Sequence, residues 1–150
     1  MEHAASQTDS SSRLLAAHQE LMRQIADLRS NWRGSNDTGF PNYGELADRV
    51  VRVRDLLEEH FAMEEDGGYL HSVLEFAPQF TERAEQLRRQ HQEFLATLTR
   101  IEVRLRIPDA DAQNQVQDEF ETFLQKIQEH EHSENNIVQT AFNQEDGIGD

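Results

Sequence analysis

Apolar residues recur at alternating steps of four and three through four stretches of this chain. The stretches run from Leu14 to Trp32, from Leu46 to Glu64, from Phe80 to Leu105 and from Val116 to Ala141. This spacing, called the seam below, places about one side chain per turn on the same face of an α-helix. No strand-like alternation of comparable length competes with it. The sequence therefore predicts four helices that turn their seams toward one core.

The segments between these stretches contain helix-breaking residues. Residues 34–44, "GSNDTGFPNYG", include three glycines and a proline, and a glycine pair at 67–68 follows the second stretch. Pro108 ends the third helix, and either Asp109 or Asp111 can cap the fourth. Short connections of this kind predict an all-α, up-down-up-down antiparallel four-helix bundle. We expect the bundle over residues 13–142, between disordered tails at 1–12 and 143–150.

Charge and composition exclude several classes of partner. The 29 acidic and 14 basic residues give a net charge of −15, which argues against nucleic acid and anionic membrane surfaces. The absence of cysteine excludes disulfides and thiolate metal sites. No signal-peptide pattern and no apolar run of about 20 residues is present. We expect a cytoplasmic protein, and a monomer because one chain supplies the complete seam.

Six ionisable residues occupy seam positions that are otherwise apolar. They comprise one histidine in each helix, and in helices two and four a glutamate four residues after it: His18, His60, Glu64, His91, His130 and Glu134. Burying such groups is costly unless they are paired or bound to a metal. The four histidines lie about 14 to 17 residues from the connecting turns, so an antiparallel bundle brings them to nearly the same level. The sequence predicts one cluster.

The donor set of this cluster indicates which metals fit. Imidazoles and carboxylates suit iron, manganese or zinc better than calcium. Six ligands are too many for a single tetrahedral zinc. Two metals bridged by the two glutamates would use all six and leave positions open for a small ligand. A buried histidine–glutamate hydrogen-bond network without metal is the alternative.

Residues beside the motif are expected to play smaller parts. His132 lies two residues from His130 and should point away from the seam. Glu65, Asp66 and Glu131 are expected at the solvated flank, although one of them could orient a ligand imidazole.

With these residues in place, the chain resembles the hemerythrin-like (HHE cation-binding) family over residues 13–142. The motif of that family matches His18, "HFAME" at 60–64, His91 and "HEHSE" at 130–134. The resemblance implies two non-haem irons with an oxo or hydroxo bridge, for which manganese or zinc could substitute. It implies that His18 and His60 serve one iron and His91 and His130 the other, with Glu64 and Glu134 bridging.

Two departures from the oxygen carriers of that family bear on function. The carriers have a second histidine one turn away on the third helix, where this chain has Leu87 and Leu95 on either side of His91. The carriers also end their motif in His-x-x-x-x-Asp, whereas this chain has His-x-x-x-Glu. The resemblance then implies a protein that reacts with O₂ or NO in redox or oxygen sensing, or in iron homeostasis and repair. A di-iron peroxidase or nitric-oxide-handling enzyme and a reversible oxygen store are the alternatives.

Overall fold

The chain forms four α-helices in a computed structural model that describes residues 2–37, 42–66, 75 and 77–149. The helices are α1 (Glu2–Asp37), α2 (Tyr43–Asp66), α3 (Thr81–Leu105) and α4 (Ala110–Gly149), with a 3₁₀ turn at Pro78–Phe80 before α3. Side chains are described for residues 16–34, 42–65, 75, 77–137, 139 and 140. The predicted all-α bundle is confirmed, and no strand occurs among the described residues.

Contacts between neighbouring helices show that they run antiparallel. Between α2 and α3, Arg106 Nη2 lies 2.9 Å from Asp48, and Arg54 Nη1 lies 2.9 Å from Glu102. Sequence numbers thus rise on one helix as they fall on the other. The contacts of α1 with α4 follow the same rule, since Arg29 approaches Glu121 and His18 approaches Glu131. The helices α3 and α4 also run antiparallel, since Arg104 approaches Glu119 and Arg83 approaches Ser133. With these three pairs antiparallel, the four helices alternate up and down.

The predicted seam forms the core. Every seam residue with a described side chain is buried except His18 and Phe80, which are partly buried. Leu14 and Ala141 lie outside the described side chains. In the half of the bundle nearer the α3–α4 turn, Trp32 stacks on Phe120 with ring centroids 4.6 Å apart. Apolar burial of this kind is the main force that holds the helices together.

Capping residues explain where two of the helices begin. The Asn42 carboxamide oxygen accepts a hydrogen bond from the Glu45 backbone N–H at 3.1 Å, at the start of α2. The Asp109 carboxylate accepts one from the Asp111 N–H at 3.1 Å, so Asp109 is the cap of α4. Pro108 precedes that cap, and α3 has already ended at Leu105.

The outer limits of the bundle stay a prediction. The helix α1 begins at Glu2 and α4 continues to Gly149, so the helices extend into both of the segments expected to be tails. The structure describes no side chains at 2–15 or 141–149, and helical backbone alone does not show whether those turns pack on the bundle. The glycine pair at 67–68, where α2 was expected to stop, lies outside the described residues. In the described part of the chain, no helix is long and apolar enough to cross a membrane.

The core predicts how two apolar positions of α3 differ in their contribution to stability. Leu98 is fully buried and Val103 is 54% exposed. We expect Leu98→Ala to lower the free energy of unfolding by about 2–5 kcal/mol, because it removes packed atoms and leaves a cavity. We expect Val103→Ala, the control, to change it by less than about 0.5 kcal/mol. Urea titration followed by circular dichroism measures both, and equal effects would contradict this assignment of the core.

Candidate metal centre

Each of the four helices contributes one histidine to a cluster in the half of the bundle away from the α3–α4 turn. His60, His91 and His130 are at most 2% exposed, and Glu64 and Glu134 are equally buried. The side chain of His18 is 25% exposed, so this is the side on which the cluster comes nearest to solvent. The i, i+4 spacing on α2 and α4 stacks each glutamate one turn above its histidine.

Short contacts join the imidazole Nε2 atoms to the two glutamates. Nε2 of His60 lies 2.7 Å from Oε1 of Glu64, and Nε2 of His130 lies 2.7 Å from Oε1 of Glu134. Nε2 of His91 lies 3.3 Å from an oxygen of each glutamate. Glu64 and Glu134 therefore stand between histidines of different helices. The structure brings all six predicted site residues together.

The Nδ1 atoms of three of these histidines contact other side chains. His18 Nδ1 lies 2.8 Å from Oε2 of Glu131, and His91 Nδ1 lies 3.0 Å from Oε1 of Glu65. His130 Nδ1 lies 2.7 Å from Gln90 Oε1. An amide oxygen can only accept, so His130 donates its Nδ1–H to Gln90 and keeps the Nε2 lone pair on the side of the cluster.

Aromatic rings enclose the His91 and His130 side of the cluster. Phe61 stacks on His91 with ring centroids 3.7 Å apart and planes inclined by 8°. Phe94 meets His130 edge to face at 5.1 Å. Both phenylalanines are buried. They exclude water from this side and lower the local dielectric, which strengthens every charge interaction inside.

The electrostatic field of the cluster favours positive charge. Burial disfavours protonation of His91, but Glu134, Glu64 and Glu65 outweigh it and raise the pKa of His91 to about 9. Burial likewise opposes a proton on His60, and Glu64 with its carboxylate neighbours still raises the pKa of that imidazole. The hydrogen bond that His18 donates to the Glu131 carboxylate raises the pKa of His18. The carboxylates that raise these pKa values also create a negative potential, which attracts metal cations.

The buried polar atoms are not all satisfied by one another. Several buried atoms of the cluster lack a partner in hydrogen-bonding orientation. They are both ring nitrogens of His60, Nε2 of His130, and one oxygen each of Glu64 and Glu131. The 2.7 Å contacts are close in distance but misaligned for hydrogen bonds. Among the residues that the structure describes, three overlapping sets have ligand atoms close enough to hold a metal ion: Glu64, His91, His130 and Glu134; His18, His60 and Glu131; and His60, Glu64, Glu131 and Glu134. These donors fit bound cations better than a closed hydrogen-bond network.

Sequence reasoning underestimated three neighbours of the cluster. The expectation that Glu131 is solvated was wrong, because Glu131 is 6% exposed, while His132 is exposed as expected. Phe61 and Glu131 each come directly after a seam histidine. The helices α2 and α4 bury the equivalent position, one residue after a seam residue, at Ala47 and Leu124 as well. A wider apolar stripe, with the residue next to the seam included, was the signal for both. No sequence signal distinguished Gln90, which is partly buried, from the exposed glutamines of α3.

Comparison with known proteins agrees with this geometry. A family model described as the hemerythrin HHE cation-binding domain matches residues 9–142, which is most of the chain. The chain belongs to this family. No curated protein and no solved structure gives a significant match.

The contact between His130 and Gln90 predicts a measurable effect on cation binding. We expect Gln90→Ala to weaken Co²⁺ binding by about 10- to 100-fold, because the His130 ring loses the acceptor that fixes its tautomer and orientation. Gln92→Ala, at an exposed position two residues further along α3, is the matched control and should bind as wild type. Competition against a chromophoric chelator measures both affinities. Equal affinities for the two variants would contradict a role for Gln90.

Proposed function

We propose that this chain is a cytoplasmic, non-haem di-iron protein whose centre reacts with O₂ or NO, in redox or oxygen sensing or in iron homeostasis and repair. The observation that carries the proposal is the convergence of His60, His91 and His130 on Glu64 and Glu134 inside an apolar bundle, with His18 beside His60. Membership of a cation-binding family supports it.

The donors divide naturally into two metal positions. Glu64 contacts both His60 and His91, which lie on different helices, so its two oxygens suit a bridge between two ions. Oε1 of Glu134 contacts both His91 and His130, and Glu134 also belongs to a set of possible metal ligands with His60, which supports a bridge to the other ion. We infer that His18 and His60 hold one ion, that His91 and His130 hold the other, and that the two glutamates bridge. Imidazole with carboxylate suits iron, and manganese or zinc are substitutes.

The protein's own side chains define what such a centre can do. When bound, two irons would supply a redox pair able to bind a diatomic ligand and transfer electrons to it. Glu65 and Gln90 hold the imidazoles of His91 and His130 in place through their Nδ1 atoms. Phe61 and Phe94 keep bulk water from that side. The side chains around the site therefore orient the proposed ligands and shield them from bulk water.

The described surface favours a small ligand over a bulky substrate. The cavity of about 570 Å³ in the described part of the chain lies between α1 and α4 and is lined by residues that include Met22, Arg29, Leu124 and Gln128. None of the proposed ligands lines it. The buried histidines and glutamates are accessible to diatomic molecules by ordinary fluctuations of the side chains.

The flanks of His91 favour sensing or iron handling over reversible oxygen carriage. Leu87, one turn before His91, is buried against Ala77 and Ile137, and Leu95, one turn after it, packs on the main core. Neither supplies a further imidazole to the ion at His91 and His130. An ion with fewer protein ligands has more positions for exchangeable ligands, which favours net oxidation over clean release of O₂.

Metal analysis tests the di-iron proposal directly. We expect the reconstituted wild-type protein to hold close to two irons per chain, and His130→Ala or Glu64→Ala to hold fewer, since each removes a ligand from the buried cluster. His132→Ala, on the exposed face of the same helix as His130, is the control and should keep wild-type stoichiometry. Iron content with the optical spectrum gives the answer. A wild-type protein without two irons, or site variants indistinguishable from the control, would overturn the proposal.

The response to O₂ separates the candidate roles. We expect the fully reduced protein to be oxidised by O₂ and to stay oxidised when the gas is removed under vacuum. A spectrum that reverts under vacuum would instead support oxygen storage. Many turnovers with H₂O₂ or NO, in place of one stoichiometric reaction, would support the enzyme alternative.

A further inference from the structure

Glu131 is a buried carboxylate that the six-residue motif does not include. It follows His130 on α4 and faces α1, where its Oε2 lies 2.8 Å from His18 Nδ1. Its other oxygen, Oε1, is buried without any hydrogen-bond partner and lies 4.0 Å from Nε2 of His60. One oxygen of Glu131 thus contacts the first histidine of the cluster while the other points to the second.

Contact with His18 alone does not explain this arrangement. A buried carboxylate oxygen without a partner is unfavourable, because it has lost water and gained nothing in exchange. A group whose only task was to orient His18 could keep its second oxygen in solvent. Glu65 shows that alternative, since it contacts His91 Nδ1 at 3.0 Å with its side chain 31% exposed.

The position of Glu131 also differs from that of Glu65 in relation to the other donors. Glu131 belongs to two of the sets whose ligand atoms are close enough to share an ion, once with His18 and His60 and once with His60, Glu64 and Glu134. Glu65 belongs to none of these sets. The two carboxylates therefore make similar imidazole contacts, but only Glu131 also reaches the place where an ion would be bound.

We propose that Glu131 is a seventh ligand of the centre, a terminal carboxylate on the ion held by His18 and His60. This inference rests on the proposed two-ion site. It makes the two ions unequal, because the ion at His91 and His130 has two imidazoles and the bridging glutamates but no carboxylate of its own. Small exogenous ligands then bind mainly to the ion at His91 and His130, beside Leu87 and Leu95.

Cobalt substitution tests the ligand role of Glu131 without any activity assay. Glu131→Gln keeps the size and shape of the side chain but removes the negative charge of the proposed ligand, and Glu65→Gln makes the same change at the matched position. Co²⁺ is titrated into metal-free protein, with chelator competition for affinity and visible absorption for coordination. We expect Glu131→Gln to weaken one of two Co²⁺ sites by more than about 100-fold and to alter its spectrum, while Glu65→Gln shows at most the 10- to 100-fold loss of an orienting group.

The outcomes separate this inference from the function on which it rests. Two wild-type-like Co²⁺ sites in Glu131→Gln, or losses equal to those of Glu65→Gln with an unchanged spectrum, would show that Glu131 only positions His18. A wild-type protein that binds fewer than two Co²⁺ and fewer than two irons would overturn the two-ion site itself. If Glu131→Gln does not fold, a crystal structure of the cobalt-loaded wild type decides. A Glu131 oxygen within about 2.2 Å of the ion supports the ligand role, and a longer separation overturns it.

Discussion

The cost of burying charge governs the architecture of this protein. His60, Glu64, His91, His130 and Glu134 are all at most 2% exposed, in a core whose other buried residues, apart from Glu131, are apolar. Groups of this kind persist in a core only when neighbours of opposite charge, hydrogen bonds or metal ions stabilise them. Because the carboxylate partners of His18 and His91 lie on other helices, the helices must converge at one level. The cluster therefore fixes the register of the helices as well as the chemistry.

The rest of the bundle serves this convergence. Apolar packing toward the α3–α4 turn, including the stack of Trp32 on Phe120, supplies stability from residues that have no part in the site. The interhelical ion pairs on the surface, such as Arg106 with Asp48, add little free energy at exposed positions. Phe61 and Phe94 form the boundary between the two regions, since both belong to the apolar core and both touch site imidazoles. The apolar packing that supplies much of the stability and the ionisable cluster therefore lie in different parts of the bundle along its axis.

The sequence was sufficient to predict the fold and the six-residue cluster because both depend on a periodic pattern. A residue such as His91 carries its own evidence, since it interrupts a line of buried apolar positions. The sequence held less evidence that Phe61 and Glu131 are buried. Both lie beside the seam, where burial depends on how closely the neighbouring helix packs. The partners of the Nδ1 atoms, such as Gln90, depend on side-chain rotamers that no periodicity encodes. The limits of the bundle within 1–12 and 143–150 stay a prediction, because a polar segment can be helical without packing on the core.

The charge of the site connects Glu131 to the choice among roles. In the proposed two-ion site, two bridging glutamates would place two negative charges between the ions, and Glu131 would add a third beside His18 and His60 in a low-dielectric interior. Negative charge stabilises the more highly charged, oxidised form of a metal relative to the reduced form. A centre built in this way gives up electrons to O₂ readily and regains them with difficulty. That property suits a protein that registers oxidant or handles iron, and it opposes the balance between binding and release that an oxygen store requires.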